Sequence, residues 1–246
     1  MADAAVDPNA LGERYHFLIR RLHSLSGIVP VGVFLCVHMS VNASVLAGPA
    51  RFQFAVDQIH KLANLGILKP VEVLFIFLPI AFHAYVGAWI WLTGKPEIMR
   101  YPHLDNIRYA VQRWTGIIAI VFILAHLWHV HWIIPGGTEF DAHAAAESAV
   151  NAMASLWVGP VYALGVLCAV FHFANGIWTF LITWGVTIGP GSQRRSGWVC
   201  GIIGVVLALM GLAALAKFKS MDVSALQHPP VTATGKVEPG AQTTGH

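Results

Sequence analysis

The chain has 246 residues, of which 56% are hydrophobic and only 11% charged, with a formal net charge of +3. Soluble globular domains carry about 25% charged residues, so the composition excludes a soluble fold and points to helices that cross a bilayer. The basic excess does not indicate nucleic acid, because Lys and Arg gather at the ends of the apolar stretches.

Residues 1 to about 15 are polar and acidic, without a basic leader, and are expected to be a peripheral tail rather than a cleaved signal. The first span is expected over about 23–47, with Pro30 able to bend it and Ser24, Ser26 and Ser40 placed for a protein-facing side. Residues 48–70 form a connection in which Phe52, Val56, Ile59 and Leu62 recur at helical spacing, which predicts a short surface helix. The second span, about 71–93, contains Pro79 and stops at Gly94-Lys95-Pro96. The third, about 112–134, ends at Pro135-Gly136-Gly137, and some helix is expected in the connection that follows, over 142–154. The fourth runs over about 156–184 and the fifth over about 197–215. Residues 1–219 thus read as one five-span membrane domain. The segment 220–246, rich in Pro, Gly, Thr and Ala, is expected to be disordered. Cys36, Cys168 and Cys200 lie inside spans without metal-ligand spacing and read as small apolar fillers. The connection between spans three and four has no Lys or Arg but carries Glu139, Asp141 and Glu147, and the one after span one, on the same side, carries Arg51, Lys61 and Lys69, whereas Arg14, Arg20, Arg21, Lys95, Arg100, Arg108, Arg113, Arg194 and Arg195 fall on the other side. That asymmetry orients the N-terminus inside.

Ionisable side chains inside a bilayer are costly and mark function. Four histidines lie within these spans. His38 is roughly four to five helical turns beyond Arg21, and His126 roughly three to four beyond Arg113, which puts both toward the outer half. His83 and His172 sit on descending spans nearer the inner side. Two pairs at two depths suit two b-type haems, each needing neutral imidazoles from facing helices. Gly87 and Gly176 follow His83 and His172 by one helical turn, and Gly27 and Gly116 fall near the inner layer, where a side chain would contest the space. Arg20, Arg21 and Arg113, with His23, are placed to meet haem propionates or a partner subunit. A transition-metal transporter is the competing reading, since imidazoles also bind Zn, Cu and Ni. Such sites usually recruit carboxylates or thiols, and no Asp or Glu lies near the centre of these spans. A single buried histidine satisfied by a serine or a carbonyl remains the plain alternative for any one of the four.

The segments FLIRRLHSLSGIVPVGVFLCVH (17–38), FIFLPIAFHAYVG (75–87), QRWTGIIAIVFILAH (112–126) and FHFANGIWTFLITWGVTIGPGSQRR (171–195) cover all spans but the last. In that order the chain resembles the cytochrome b membrane-anchor subunits of succinate dehydrogenase and quinol:fumarate reductase, of the single-polypeptide, five-helix, di-haem type. The resemblance implies an all-α membrane protein with five transmembrane helices, the first four forming a di-haem bundle. It implies His38 and His126 as ligands of the outer haem, His83 and His172 as ligands of the inner one, and two haem b as cofactors. Its implied partners are a flavoprotein subunit, an iron–sulfur subunit, the lipid bilayer and a quinone, with menaquinone the expected type. A bacterial cytoplasmic membrane is the implied location, and a higher oligomer of the whole complex is left open. For the quinone, His129, His131 and Trp132 are the outer-side candidates, and His23, Ser24 and Arg113 the inner-side ones. The glutamate that some fumarate reductases carry close before the last ligand is missing, since Val170 stands two residues before His172. No residue suits dicarboxylate chemistry, so succinate oxidation would belong to the flavoprotein. A di-haem subunit of another dehydrogenase, for formate or hydrogen, and a haem-free transporter or anchor are the other functions considered.

Overall fold

The computed structural model describes residues 8–94, 103–130 and 140–227. Five helical stretches are long and apolar enough to cross a membrane: Tyr15–Ala47, Leu68–Thr93, Leu104–Val130, Val158–Thr183 and Pro190–Ser220. No strand occurs among the described residues, and the expected all-α, five-span membrane architecture is the one observed.

The first span is two helices, α1 (Pro8–Ile28) and α2 (Pro30–Ala43), finished by a 3-10 turn over Ser44–Ala47. Pro30 has no N–H to give the carbonyl of Ser26, so the ladder breaks at Val29, and proline then occupies the first turn of α2, where a donor is not needed. The amphipathic pattern expected after span one is α3 (Pro49–Asn64), which buries Phe52 and Val56. Span two starts with a single turn, α4 (Leu68–Val71), and widens to a π-helical turn over Glu72–Phe77. It continues as α5 (Leu78–Thr93). The wide turn lies just upstream of Pro79, which cannot donate to the preceding turn.

Spans three to five are single helices: α6 (Leu104–Val130), α8 (Val158–Thr183) and α9 (Pro190–Ser220), with α7 (Ala145–Ala152) between the first two and α10 (Val223–Gln227) after the last. α1, α6 and α9 each start earlier than the apolar runs alone indicate. Their first turns are polar, and backbone hydrogen bonding extends the helix past the hydrocarbon-length segment; Pro8 and Pro190 mark two of those starts. The four C-terminal residues expected in span three, 131–134, lie outside the described residues.

Neighbour contacts run α1 to α5, α5 to α6, α6 to α8 and α8 back to α1, which closes a four-cornered bundle. α9 lies outside it, against α8 and α2. Small residues permit that close approach. A Cβ on Gly211 would lie 2.7 Å from Val166 Cγ1 and 3.1 Å from Met39 Sδ, and one on Gly204 would lie 3.0 Å from Ala174 Cβ. At the end expected to face outside, Val45, Phe52, Val56, Ala145, Ala146, Val150, Met153 and Phe218 form a buried cap. Gln53 ties it together, donating to Ala142 O at 2.7 Å and accepting from Ala145 N at 2.9 Å. The Lys219 ammonium closes the cap from α9, donating to Met153 O at 2.9 Å and Ser155 O at 3.0 Å. Outward, Leu78, Leu124, Leu164, Ile202 and Leu209 stand exposed, as a lipid-facing surface requires. All three cysteines are free thiols, with Cys168 and Cys200 buried.

Candidate functional site

The four intramembrane histidines meet as two pairs. His83 on α5 and His172 on α8 have ring centroids 5.9 Å apart at an interplanar angle of 86°, and His38 on α2 and His126 on α6 are also 5.9 Å apart, at 75°. Each pair joins opposite corners of the bundle, so both meet at its axis.

The inner pair is built from a repeated unit. His23, Gly27, His83 and Gly87 recur at a constant offset as Gln112, Gly116, His172 and Gly176. In the first unit His83 Nδ1 donates to His23 O at 2.8 Å, and in the second His172 Nδ1 donates to Gln112 O at 3.0 Å. A carbonyl only accepts, so both imidazoles are held as the Nδ1–H tautomer, with the Nε2 lone pair left for a metal. The glycines make this approach possible. A Cβ on Gly27 would run into the His83 ring, and one on Gly116 would lie 2.8 Å from His172 Cε1. What these two glycines admit is therefore the neighbouring imidazole. Gly87 and Gly176 face the other way: their Cβ positions lie 3.2 Å from His23 Cε1 and 3.5 Å from Gln112 Nε2.

The two units differ where His23 replaces Gln112. His23 stacks on His83 at 4.0 Å and 15°, and its Nδ1 is buried with no hydrogen-bond partner among the described residues. Gln112 instead donates from Nε2 to His172 O at 2.9 Å and accepts at Oε1 from Asn175 Nδ2 at 3.0 Å. Asn175 in turn accepts at Oδ1 from Arg108 Nε and Nη2, at 3.1 and 2.8 Å.

The outer pair has a different surround. Phe34 and Phe122, each one turn before its histidine, pack on His38 and His126 at 5.5 and 5.9 Å between centroids. Asn42 Nδ2 approaches His38 Nε2 at 3.4 Å and donates to His38 O at 2.9 Å. The Tyr162 hydroxyl lies 3.2 Å from His126 Nδ1 and 2.8 Å from His129 Nδ1, linking the two. His131 and Trp132 lie outside the described residues.

The arginines sit at helix ends. Arg113 donates to Ile90 O at 3.3 Å, to Gly94 O at 3.0 Å and to Trp91 O, and so caps the C-terminus of α5. Arg21 donates to Thr183 O at 3.2 Å at the end of α8, with its guanidinium over Phe17 and Trp184. Both satisfy terminal carbonyls and complement the helix dipole. Ser24 accepts from Trp184 Nε1 at 3.1 Å on the same side.

These donors fit a haem better than a bare cation. Among the described residues no three His, Cys, Asp or Glu side chains gather into a metal-binding group. Two imidazoles suffice where a macrocycle supplies the remaining donors. With imidazole–metal bonds of about 2 Å, two rings on one metal have centres about 6 Å apart, the separation both pairs adopt. The orphaned His23 Nδ1 offers one further polar contact at the inner pair.

The periodicity of the sequence did not disclose Tyr162, Asn175, Arg108 or the side chain of Gln112. Tyr162, Asn175 and Gln112 lie on spans read through their histidines, and Arg108 was read as one of the basic residues beside span three. The repeat of His23 and Gln112, each one turn before a glycine, was the available signal.

Residues 95–220 match the family model described as succinate dehydrogenase/fumarate reductase transmembrane subunit. Over 206 residues, 82% of this chain and 96% of the relative, the sequence is 38% identical to the succinate dehydrogenase cytochrome b558 subunit of Bacillus subtilis (strain 168). With five membrane-length helices and two paired histidine sites at the bundle axis, the chain belongs to the family of succinate dehydrogenase/fumarate reductase transmembrane subunits.

Proposed function

We propose that this chain is a di-haem cytochrome b that anchors a flavoprotein and an iron–sulfur subunit to the membrane and carries electrons between the iron–sulfur subunit and quinone. The observation that carries the reading is the equal 5.9 Å separation of two histidine pairs, each drawn from opposite corners of one bundle. His83 and His172 would hold the inner haem, and His38 and His126 the outer one. Haem b supplies a one-electron carrier whose potential follows its ligands and surroundings.

The protein's own work is orientation and exclusion. The carbonyls of His23 and Gln112 fix the tautomers of the inner ligands, and the Tyr162 hydroxyl engages the outer ligand His126. The orphaned Nδ1 of His23 is offered to a propionate, with Ser24 beside it in the chain. Arg21 and Arg113 hold the helix ends on that side. Quinone, with menaquinone as the expected type, would bind at the outer end beside His129; the Tyr162 hydroxyl that His129 shares with His126 supports this choice. The charge pattern supports a cytoplasmic N-terminus, so the inner pair would face the iron–sulfur subunit.

The test is a haem count on the purified complex. Pyridine haemochrome analysis is expected to return two haem b per chain. His172→Ala and His38→Ala should each remove one, with the loss of a different low-spin signal. A count far below two in intact wild-type material would overturn the reading.

A further inference from the structure

The second repeat unit carries a polar chain that the first lacks. A guanidinium only donates, so Arg108 fixes Asn175 with Oδ1 toward it and Nδ2 toward Gln112. Gln112 must then present Oε1 to Asn175 and Nε2 to the His172 carbonyl. The cation thereby sets the direction of every amide behind His172, and aligned bonds in a low-dielectric interior reinforce one another. Gln112 and His172 are tied twice, because the His172 Nδ1–H returns to the Gln112 carbonyl.

The charge is held close. Arg108 lies 3.7 Å over the Trp178 ring and at the wall of an apolar cavity of about 260 Å³ whose lining includes Leu167, Val170 and Cys200 but no carboxylate. Asn175, only 5% exposed, seals the link from water. At the same offset the first unit has Ile19 for Arg108, His23 for Gln112 and Val86 for Asn175, and none of these can build the chain. Only Trp178 has its like, Trp89, and that ring stacks on His16 at 5.3 Å.

We propose that Arg108, Asn175 and Gln112 form a strut behind His172 that positions this imidazole and lays a fixed positive charge on its side of the inner pair, making the inner centre easier to reduce. The proposal rests on the reading of His83 and His172 as haem ligands. A cation near a metal stabilises its reduced, less positive state, and weak dielectric screening lengthens the reach of that effect. Gln112 and Asn175 are positioning residues that act through His172, while Arg108 both orients them and supplies the charge.

The experiment is an optical and low-temperature EPR redox titration of the whole complex, with the inner centre defined as the one that His172→Ala abolishes. Arg108→Gln removes the charge but keeps an amide, Arg108→Lys keeps the charge, and Asn175→Val copies the first unit. Arg108→Gln and Asn175→Val are expected to lower the inner midpoint, leave the outer midpoint in place and retain two haems. Arg108→Lys should stay nearer the wild-type value. An unchanged inner midpoint in Arg108→Gln with two haems bound, or equal shifts at both centres, overturns the proposal. So does loss of haem without any shift in the molecules that retain it, because that is the signature of packing alone. A wild-type complex without haem would instead defeat the functional reading, so the two failures are distinct.

Discussion

At the scale of single residues, the inner pair depends on atoms that are absent. Gly116 and Gly176 are both glycines one helical turn from a polar partner, yet their surroundings differ. A methyl at Gly116 would press on the His172 ring at 2.8 Å, whereas at Gly176 the nearest atoms are Gln112 Nε2 at 3.5 Å and Ile28 Cδ1 at 4.0 Å, ordinary contacts. Gly116→Ala is therefore expected to push His172 off the Gln112 carbonyl and lower the haem content from the proposed two per chain toward one. Gly176→Ala should keep both, and pyridine haemochrome analysis of the two purified variants checks the difference. The four intramembrane histidines were legible in the sequence because burying an imidazole in hydrocarbon needs a reason. Tyr162 was not, because a tyrosine near a span end reads as an interfacial anchor. Its bridging of His126 and His129 depends on the rotation of α8 against α6, which no single-helix pattern encodes.

At the scale of elements, hydropathy located the spans but not their breaks. Pro30 announced a bend, and the structure turns it into two helices meeting at Val29. The comparison of spans one and three gives a reason. Gly27 and Phe34 correspond to Gly116 and Phe122, but the first interval is one residue longer, and the break falls within it. An extra residue turns a helix by about 100°, so an unbroken helix would swing His38 away from His126. Pro79 marked a disturbance in span two as Pro30 did in span one, but not its form, because the widening to a π-helical turn is set by backbone hydrogen bonds. The α9 helix shows how little a span needs to dock when its contact stripe is small. Gly211→Val would drive a branched side chain into Val166 and Met39. Overpacking of this kind costs about 1–3 kcal/mol, so the detergent-solubilised variant is expected to melt at lower temperature than wild type. Its haem absorbance at low temperature should be unchanged, since α9 lies outside the four-cornered bundle.

At the scale of the whole molecule, the two ends are unlike. The end remote from the start of α1 is sealed by α3, α7, α10 and the last turn of α9 around Val45 and Ala145, both fully buried. The opposite end presents helix termini held by Arg21 and Arg113, beside the basic residues Arg20, Arg194 and Arg195. That contrast, with the acidic connection between spans three and four, predicts the topology. A cysteine introduced at Ser148 should react with an impermeant maleimide added to intact cells, and one at Ser192 should react only after lysis. The reverse labelling pattern would invert the orientation. The amphipathic α3 was visible from its spacing, but its meeting with α7 to form a lid was not, because it is made by long-range contacts through Gln53 and the cap core.

Because each histidine pair joins corners of the bundle that are not consecutive in the chain, the two sites do not come into being together. The outer site has both its imidazoles once the ribosome has delivered α6. The inner one must wait for α8, more than forty residues later. On the di-haem proposal, the ligand pair of the outer centre is therefore complete in the growing chain before that of the inner one.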